Sequence, residues 1–369
     1  MTLDHCYYVT ERRPEDAHLK NATNKARADV EFTLKELGMH EVKIDIAFGG
    51  ENASVAASLK EHGQTYRIWQ SALRSLKRGD ALFVQMPAIS HCVFLGHLFR
   101  KLRGRGVKVV LLIHDLERLR FVAADVPFKT RVRQYLDEAS VLKSADLIIA
   151  HNEIMIEYLA EEGIPWEKLV SLEIFDYRLP ADFAVHRPYE TEDLDAPRAD
   201  LMIAGNLDSD KVGYLKDIGR VPGVRFQLYG VGYKDENQNA VYNGSYLPDE
   251  LPAYLHGNFG LVWDGTSVDT CAGNYGNYLR YNDPHKTSLY LVCGFPVVVW
   301  DKSAIAHFVL EHKAGITVSS LLEAGDAIAA LSADEYETMC KNAAAVSQDL
   351  RSGHYLKTAV GECMRRLGR

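Results

Sequence analysis

The stretch Asn277–Asp301, NYLRYNDPHKTSLYLVCGFPVVVWD, decides how the rest of the chain is read. Asp283 and Pro284 punctuate a turn, His285 to Val292 has helical apolar spacing, Gly294 ends it, and Pro296 to Trp300 is a β-branched strand. The run is a loop, a helix, a tight turn and a buried strand. A helix opening just after Pro284 points its unpaired N–H groups and positive dipole end forward, and Lys286 adds a full charge there. An anionic ligand, a diphosphate above all, suits that position. The same spacing also serves an ordinary αβ unit with a solvent-exposed lysine.

Working outward, the alternation repeats. Strands are predicted at Cys6 to Val9, Val42 to Ala47, Ala81 to Gln85, Val107 to Ile113, Asp146 to Ala150 and Leu169 to Ile174. Helical stretches at Ala22 to Gly38, Ile89 to Leu102 and Phe128 to Lys143 fall between them. From Tyr177 to Asp200 the period lapses into a run rich in proline and acid, which reads as a linker. Strands then resume at Leu201 to Ala204, Val224 to Tyr229, Phe259 to Trp263, Pro296 to Trp300 and Gly315 to Val318. Strands alternating with helices argue a parallel sheet covered on both faces. The fold class is therefore α/β, as two successive halves, residues 1–182 and 195–352. The final amphipathic helix, about residues 353–369, packs on the second half or returns to the first.

Bulk properties agree. A length of 369 residues suits two domains, and 47% hydrophobic with 25% charged residues is a globular composition. The net charge of −8 offers no broad basic surface, so nucleic acid is not expected as a partner. The six cysteines are scattered without a CxxC pair and suit a reducing compartment. The first residues, MTLDHCYYVTERRP, hold no signal-peptide core, and no apolar run reaches roughly 18 residues. A cytoplasmic location is expected.

In open α/β sheets ligands bind beyond the carboxyl ends of the strands. There stand Gly205 and Asn206, followed by Lys211; Tyr229, whose ring suits stacking on a planar base; and Asp264, which opens the loop Thr266 to Tyr281 with Asn277 and Tyr278. Taken singly each also serves a turn. Gly49 and Gly50 would let backbone approach a ligand after the second strand. In the first half a strand ends in His114 and Asp115, either of which suits a general base for a hydroxyl, while Asp115 equally suits a helix cap. No HxxxH, HExxH or Cys/His cluster supports a metal, and the glycine pairs Gly104/Gly106 and Gly230/Gly232 lack the third glycine of a dinucleotide fingerprint. Two basic groups, Arg100, Lys101, Arg103, Arg105 and Lys108, then Arg118, Arg120, Lys129, Arg131 and Arg133, form a solvated face or a peripheral contact with anionic lipid.

The run PHKTSLYLVCGFPVVVW resembles the donor-binding helix and strand of GT-B glycosyltransferases. With GNYGNYLRYNDPHK before it, the stretch is similar to bacterial β-1,6-galactofuranosyltransferases and to the glucosyltransferases that extend N-acetylglucosamine on serine-rich adhesins. NATNKARADVE, IHDLERLR and LSADEYETMCKNAAAVSQDLRSG carry the resemblance along the chain. It implies a GT-B fold, two Rossmann-like doubly wound domains facing across a cleft, the second holding a UDP-sugar and the first admitting the acceptor. By position, Gly205 and Asn206 would lie near the nucleotide, Lys286 would neutralise the diphosphate, Asn277 and Tyr278 would line the donor pocket, and Thr23 would reach the donor. A helix N-terminus and a cation then stand in for a metal, so no cofactor is expected. The ExxxxxxxE pair of retaining members is missing, with only Asp269 and Asp283 bracketing its place, which favours inversion. The resemblance further implies hexose transfer, galactofuranose first and glucose second, to a lipid-linked or protein-linked glycan; the basic groups would set the chain at the inner face of the plasma membrane. It is compatible with a homo-oligomer and, as the rival class, with a non-catalytic glycosyltransferase partner.

Overall fold

The structure, a computed structural model, describes residues 3–12, 22–45, 55–89, 92–120, 138–180, 182–184 and 198–368. It divides into unit 1, made of Met1–Leu19, Val30–Leu172 and Leu356–Arg369, and unit 2, made of Lys20–Asp29 and Glu173–Tyr355. Gly49, Gly50, Lys129, Arg131 and Arg133, together with residues 185–197 of the expected linker, lie outside the described residues.

Unit 1 holds strands β1 (Cys6–Arg12), β2 (His40–Asp45), β3 (Ala81–Met86), β4 (Lys108–Ile113), β5 (Leu147–Ala150) and β6 (Leu169–Ser171). They form one parallel sheet in the order β2-β1-β3-β4-β5-β6. The chain winds outward from β1 to β2, then returns to β3 on the other side, so the winding reverses between β1 and β3. Helices α1 (Ala22–Glu36), α2 (Val55–Ala72), α3 (Leu95–Gly104) and α4 (Glu153–Glu161) connect the strands. All of β3, ALFVQM, is buried, as a parallel strand covered on both faces requires.

Unit 2 also holds six strands, β7 (Asp200–Asn206), β8 (Arg225–Val231), β9 (Ala240–Tyr242), β10 (Phe259–Val262), β11 (Val297–Trp300) and β12 (Gly315–Val318). Its parallel sheet runs β12-β11-β10-β7-β8-β9, and the winding reverses between β7 and β10. The helices are α5 (Gly273–Tyr278), α6 (His285–Val292), α7 (Ile305–Glu311) and α8 (Ala333–Ser352). Helix α8 opens with a capping box between Ser332 and Glu335 and ends at Gly353, whose φ of 76° only glycine adopts cheaply. Helix α9 (His354–Arg366) follows, its residues from Leu356 on belonging to unit 1. No helix among the described residues is long and apolar enough to cross a membrane.

The sequence pattern misplaces several elements. Helix α3 begins at Leu95, not Ile89, because the Ile89 N–H is bound by Glu11 Oε2 at 2.8 Å and the chain is turned toward β1 there. Of the stretch Phe128 to Lys143 only 138–143 is described as helical. Edge strand β9 and helices α2 and α5 escape the pattern; β9 has only three residues, and GNYGNY in α5 has no apolar period.

Gly260 in β10 lies against the Tyr290 ring of α6, and a Cβ there would overlap the ring carbons. That contact seats α6 on the sheet. Gly260→Ala is expected to lower stability by about 1–3 kcal/mol through overpacking; an unchanged urea midpoint would contradict this packing.

Candidate active site

The reversal between β7 and β10 opens a crevice whose cause is visible in the strand register. Pairing of β7 with β8 continues from Asp200–Arg225 through Asn206–Val231. Pairing of β7 with β10 comprises only Leu201–Phe259 and Met202–Gly260. Beyond Met202 the two strands part, and the Ala204 N–H donates instead to the Tyr290 hydroxyl at 2.8 Å. Gly205 and Gly230 both take positive φ, 130° and 149°. A side chain at Gly230 would overlap the Gly205 carbonyl, so the strand ends approach this closely only because glycine stands there. In front of Gly205 a Cβ would meet nothing within 4 Å.

Helix α6 starts at this crevice. Its N-cap, Pro284, gives no side-chain cap, and the Thr287 N–H folds back on the Pro284 carbonyl at 2.8 Å. The N–H groups of His285 and Lys286 have no protein acceptor among the described residues. Lys286 Nζ donates to the Trp263 carbonyl at 3.0 Å and to Asp264 Oδ1 at 2.8 Å, which leaves a third N–H to donate. Burial pushes the Lys286 pKa down, Asp264 pulls it back up, and the nearby charge of Lys211 adds to the lowering. A pocket opens here, lined by Tyr177, Gly205, Tyr229, Gly230, Tyr246, His285 and Lys286 among others. Uncapped N–H groups, a cation and a glycine-lined floor bind anions, while the aromatic walls suit a flat or sugar-like body.

The structure thus brings Gly205, Tyr229, Asp264 and Lys286 together. Tyr229 is 1% exposed, and its hydroxyl is engaged by His256 Nδ1 at 2.8 Å, so only its ring is offered to the pocket. Asn206 is exposed and accepts the Asp208 N–H at 3.0 Å, as a turn residue does. Lys211 lies in the short helix Ser209–Val212, and its carbonyl accepts the Gly265 N–H. Asn277 is exposed on α5, whereas Tyr278 is 4% exposed and packs inside. Thr23 falls in the first turn of α1, within unit 2, and its side chain lies outside the described residues. His285, Tyr177 and Tyr246 line the pocket without having drawn notice in the sequence. For His285 the signal was its place as the first residue after Pro284; for the tyrosines there was none.

In unit 1, His114 and Asp115 follow β4. His114 Nε2 lies 2.7 Å from Gln85 Oε1, and Gln85 Nε2 donates to Glu31 Oε1 at 3.3 Å. With Gln85 Oε1 as the acceptor, His114 Nε2 is the donor of that bond. The His114 carbonyl accepts from His151 Nε2 at 3.0 Å. Asp115 faces Arg120 at 3.8 Å. The first basic group is largely engaged within unit 1. Arg103 and Lys108 pair with Asp146, Arg105 donates to the Arg74 and Leu76 carbonyls, Arg100 to Ser140 and Lys101 to Tyr66.

Comparison with known proteins sets these sites in a family. The model described as glucosyltransferase 3-like, N-terminal domain, matches residues 6–174, and the one described as glucosyltransferase 3-like, C-terminal domain, matches residues 201–363. The β-1,6-galactofuranosyltransferase WbbI of Escherichia coli (strain K12) is 31% identical over 349 residues, 90% of this chain and 96% of its own. Among solved structures, sucrose-phosphate synthase from Thermosynechococcus elongatus superposes with a TM-score of 0.63 at 13% identity, covering 98% of this chain and 99% of that one. Anabaena HepE in complex with UDP and glucose gives 0.57 at 12%, with 98% and 99% covered. The fold, two Rossmann-like α/β units, is that of the GT-B glycosyltransferases. The chain belongs to the glucosyltransferase 3-like family and is a hexosyltransferase.

His151, 2% exposed, has its pKa pushed down from 6.5 to about 4 by burial. A depressed folded pKa contributes stability that is present above 6.5 and lost as pH falls through about 4. The full loss amounts to about 3 kcal/mol. His151→Gln should therefore lose less stability than wild type between neutral pH and about pH 4.5 in urea denaturation; equal losses would contradict this assignment.

Proposed function

We propose that the chain transfers a hexose, galactofuranose first and glucose second, from UDP to a glycan hydroxyl in cell-surface polysaccharide or glycoconjugate synthesis, with inversion and without a metal. The observation that carries this reading is Lys286, set beside two uncapped N–H groups of α6 where β7 and β10 part. The identity to a β-1,6-galactofuranosyltransferase supports galactofuranose, and the family's glucosyltransferase description supports glucose as the second sugar. The complex of HepE with UDP, a protein of the same fold, supports UDP as the carrier.

In this reaction the acceptor hydroxyl oxygen bonds to the anomeric carbon as the bond from that carbon to the diphosphate oxygen breaks. The charge gathering on the departing UDP falls to the Lys286 ammonium and the His285 and Lys286 N–H groups, which gain most in the transition state. The hydroxyl proton goes to a base, for which His114 is the first choice and Asp115 the second.

The test is UDP release and product formation with UDP-galactofuranose, UDP-galactose and UDP-glucose over a panel of glycan acceptors. Lys286→Ala is expected to lose about 100-fold or more in kcat, and His114→Ala about 100-fold while still binding UDP. Normal turnover by Lys286→Ala would sink the diphosphate assignment, and normal turnover by His114→Ala would pass the role of base to Asp115.

A further inference from the structure

One wall of the pocket is a stretch of turn and coil from which Ser245, Tyr246 and Pro248 reach it. Two side chains from distant parts of the sequence hold the tip of that stretch. Tyr177 donates its hydroxyl to the Pro248 carbonyl at 2.7 Å, and its ring stacks on His285 of α6 with centroids 4.9 Å apart and planes at 20°. Lys25, from the first turns of α1, reaches Asp249 Oδ1 at 3.0 Å.

The surroundings of Lys25 are complete. Its side chain is 7% exposed, and its three N–H groups meet Asp249, Asp29 Oδ1 at 2.6 Å and the Arg178 carbonyl at 2.6 Å. The ammonium also lies 4.8 Å from the centre of the Tyr177 ring. Asp29 Oδ2 in turn accepts the Arg178 N–H at 3.0 Å. One cation thereby joins α1, the chain at 177–178 and the pocket wall.

Stability does not account for this arrangement. Taking an ammonium and a carboxylate out of water costs several kcal/mol per ion, and apolar side chains of equal volume commonly serve stability as well or better. At the other end Asp249 is 76% exposed, where an ion pair contributes about 0–1 kcal/mol. What directional bonds of this kind supply is one fixed geometry.

We infer that Lys25 and Asp249 form a clamp that fixes the pocket wall for the nucleotide-sugar, making Lys25 a positioning residue of the donor site; this rests on the donor reading above. The first turns of α1, from Ala22 to Asp29, are then part of the donor site although they stand more than 170 positions before β7. A wall misplaced by about 1 Å weakens every contact the ligand makes with it.

The test uses the full chain, with UDP and UDP-glucose as titrants in calorimetry and the unliganded melting temperature as control. Asp249→Asn keeps the size of an exposed side chain. It is expected to leave the melting temperature unchanged, yet to weaken both ligands about tenfold and raise the donor KM with kcat retained. Lys25→Met should weaken binding at least as much, and the double variant no further than Lys25→Met alone, since one clamp is lost once. Wild-type affinity in Asp249→Asn, or losses that add fully in the double variant, would overturn the clamp while the donor reading stands. A wild-type chain that binds neither UDP nor UDP-glucose would overturn both.

Discussion

The ion pair between Lys286 and Asp264 is the interaction on which the second unit of this protein depends. A lysine buried to this degree is costly unless its charge is met, and here it is met from one side only, by a carboxylate and a main-chain carbonyl at the end of β10. The pair forms because β7 and β10 stop pairing after Met202 and Gly260. The parted strands leave room, and Tyr290 both seats α6 over Gly260 and takes the amide that β10 no longer binds. A helix start, a cation and two glycine-bearing strand ends follow from that one local loss of sheet hydrogen bonds.

Unit 1 also reverses its winding, after two strands where unit 2 does so after three, and has a different chemistry at its strand ends. In place of a cation and uncapped N–H groups, a chain of neutral and acidic side chains runs from Glu31 through Gln85 to His114, with His151 bound to the His114 carbonyl.

The two-sheet architecture was legible in the sequence because parallel strands buried on both faces have no polar side to interrupt them: ALFVQM and VVVW read as strands unaided. The stretch opening at Pro284 likewise announced a helix start with a lysine on it. What stayed hidden was non-local. Nothing near Asp264 says that it meets Lys286, and nothing near Lys25 says that it reaches Asp249, more than two hundred residues away. Tyr278 drew attention as a polar aromatic in a presumed loop, yet α5 turns it inward, since a helix without apolar period cannot be seen in its sequence. Edge strand β9 was lost for a similar reason, being too short to show alternation.

Lys286 is proposed to face the diphosphate of the donor. Calorimetric affinities of UDP and of uridine, each for wild type and for Lys286→Met, test it most directly, because the nucleoside lacks only the group in question. The account predicts that UDP binds wild type far more tightly than uridine does and that Lys286→Met removes most of that difference while uridine binding is kept. An advantage of UDP over uridine that survives in Lys286→Met would contradict it.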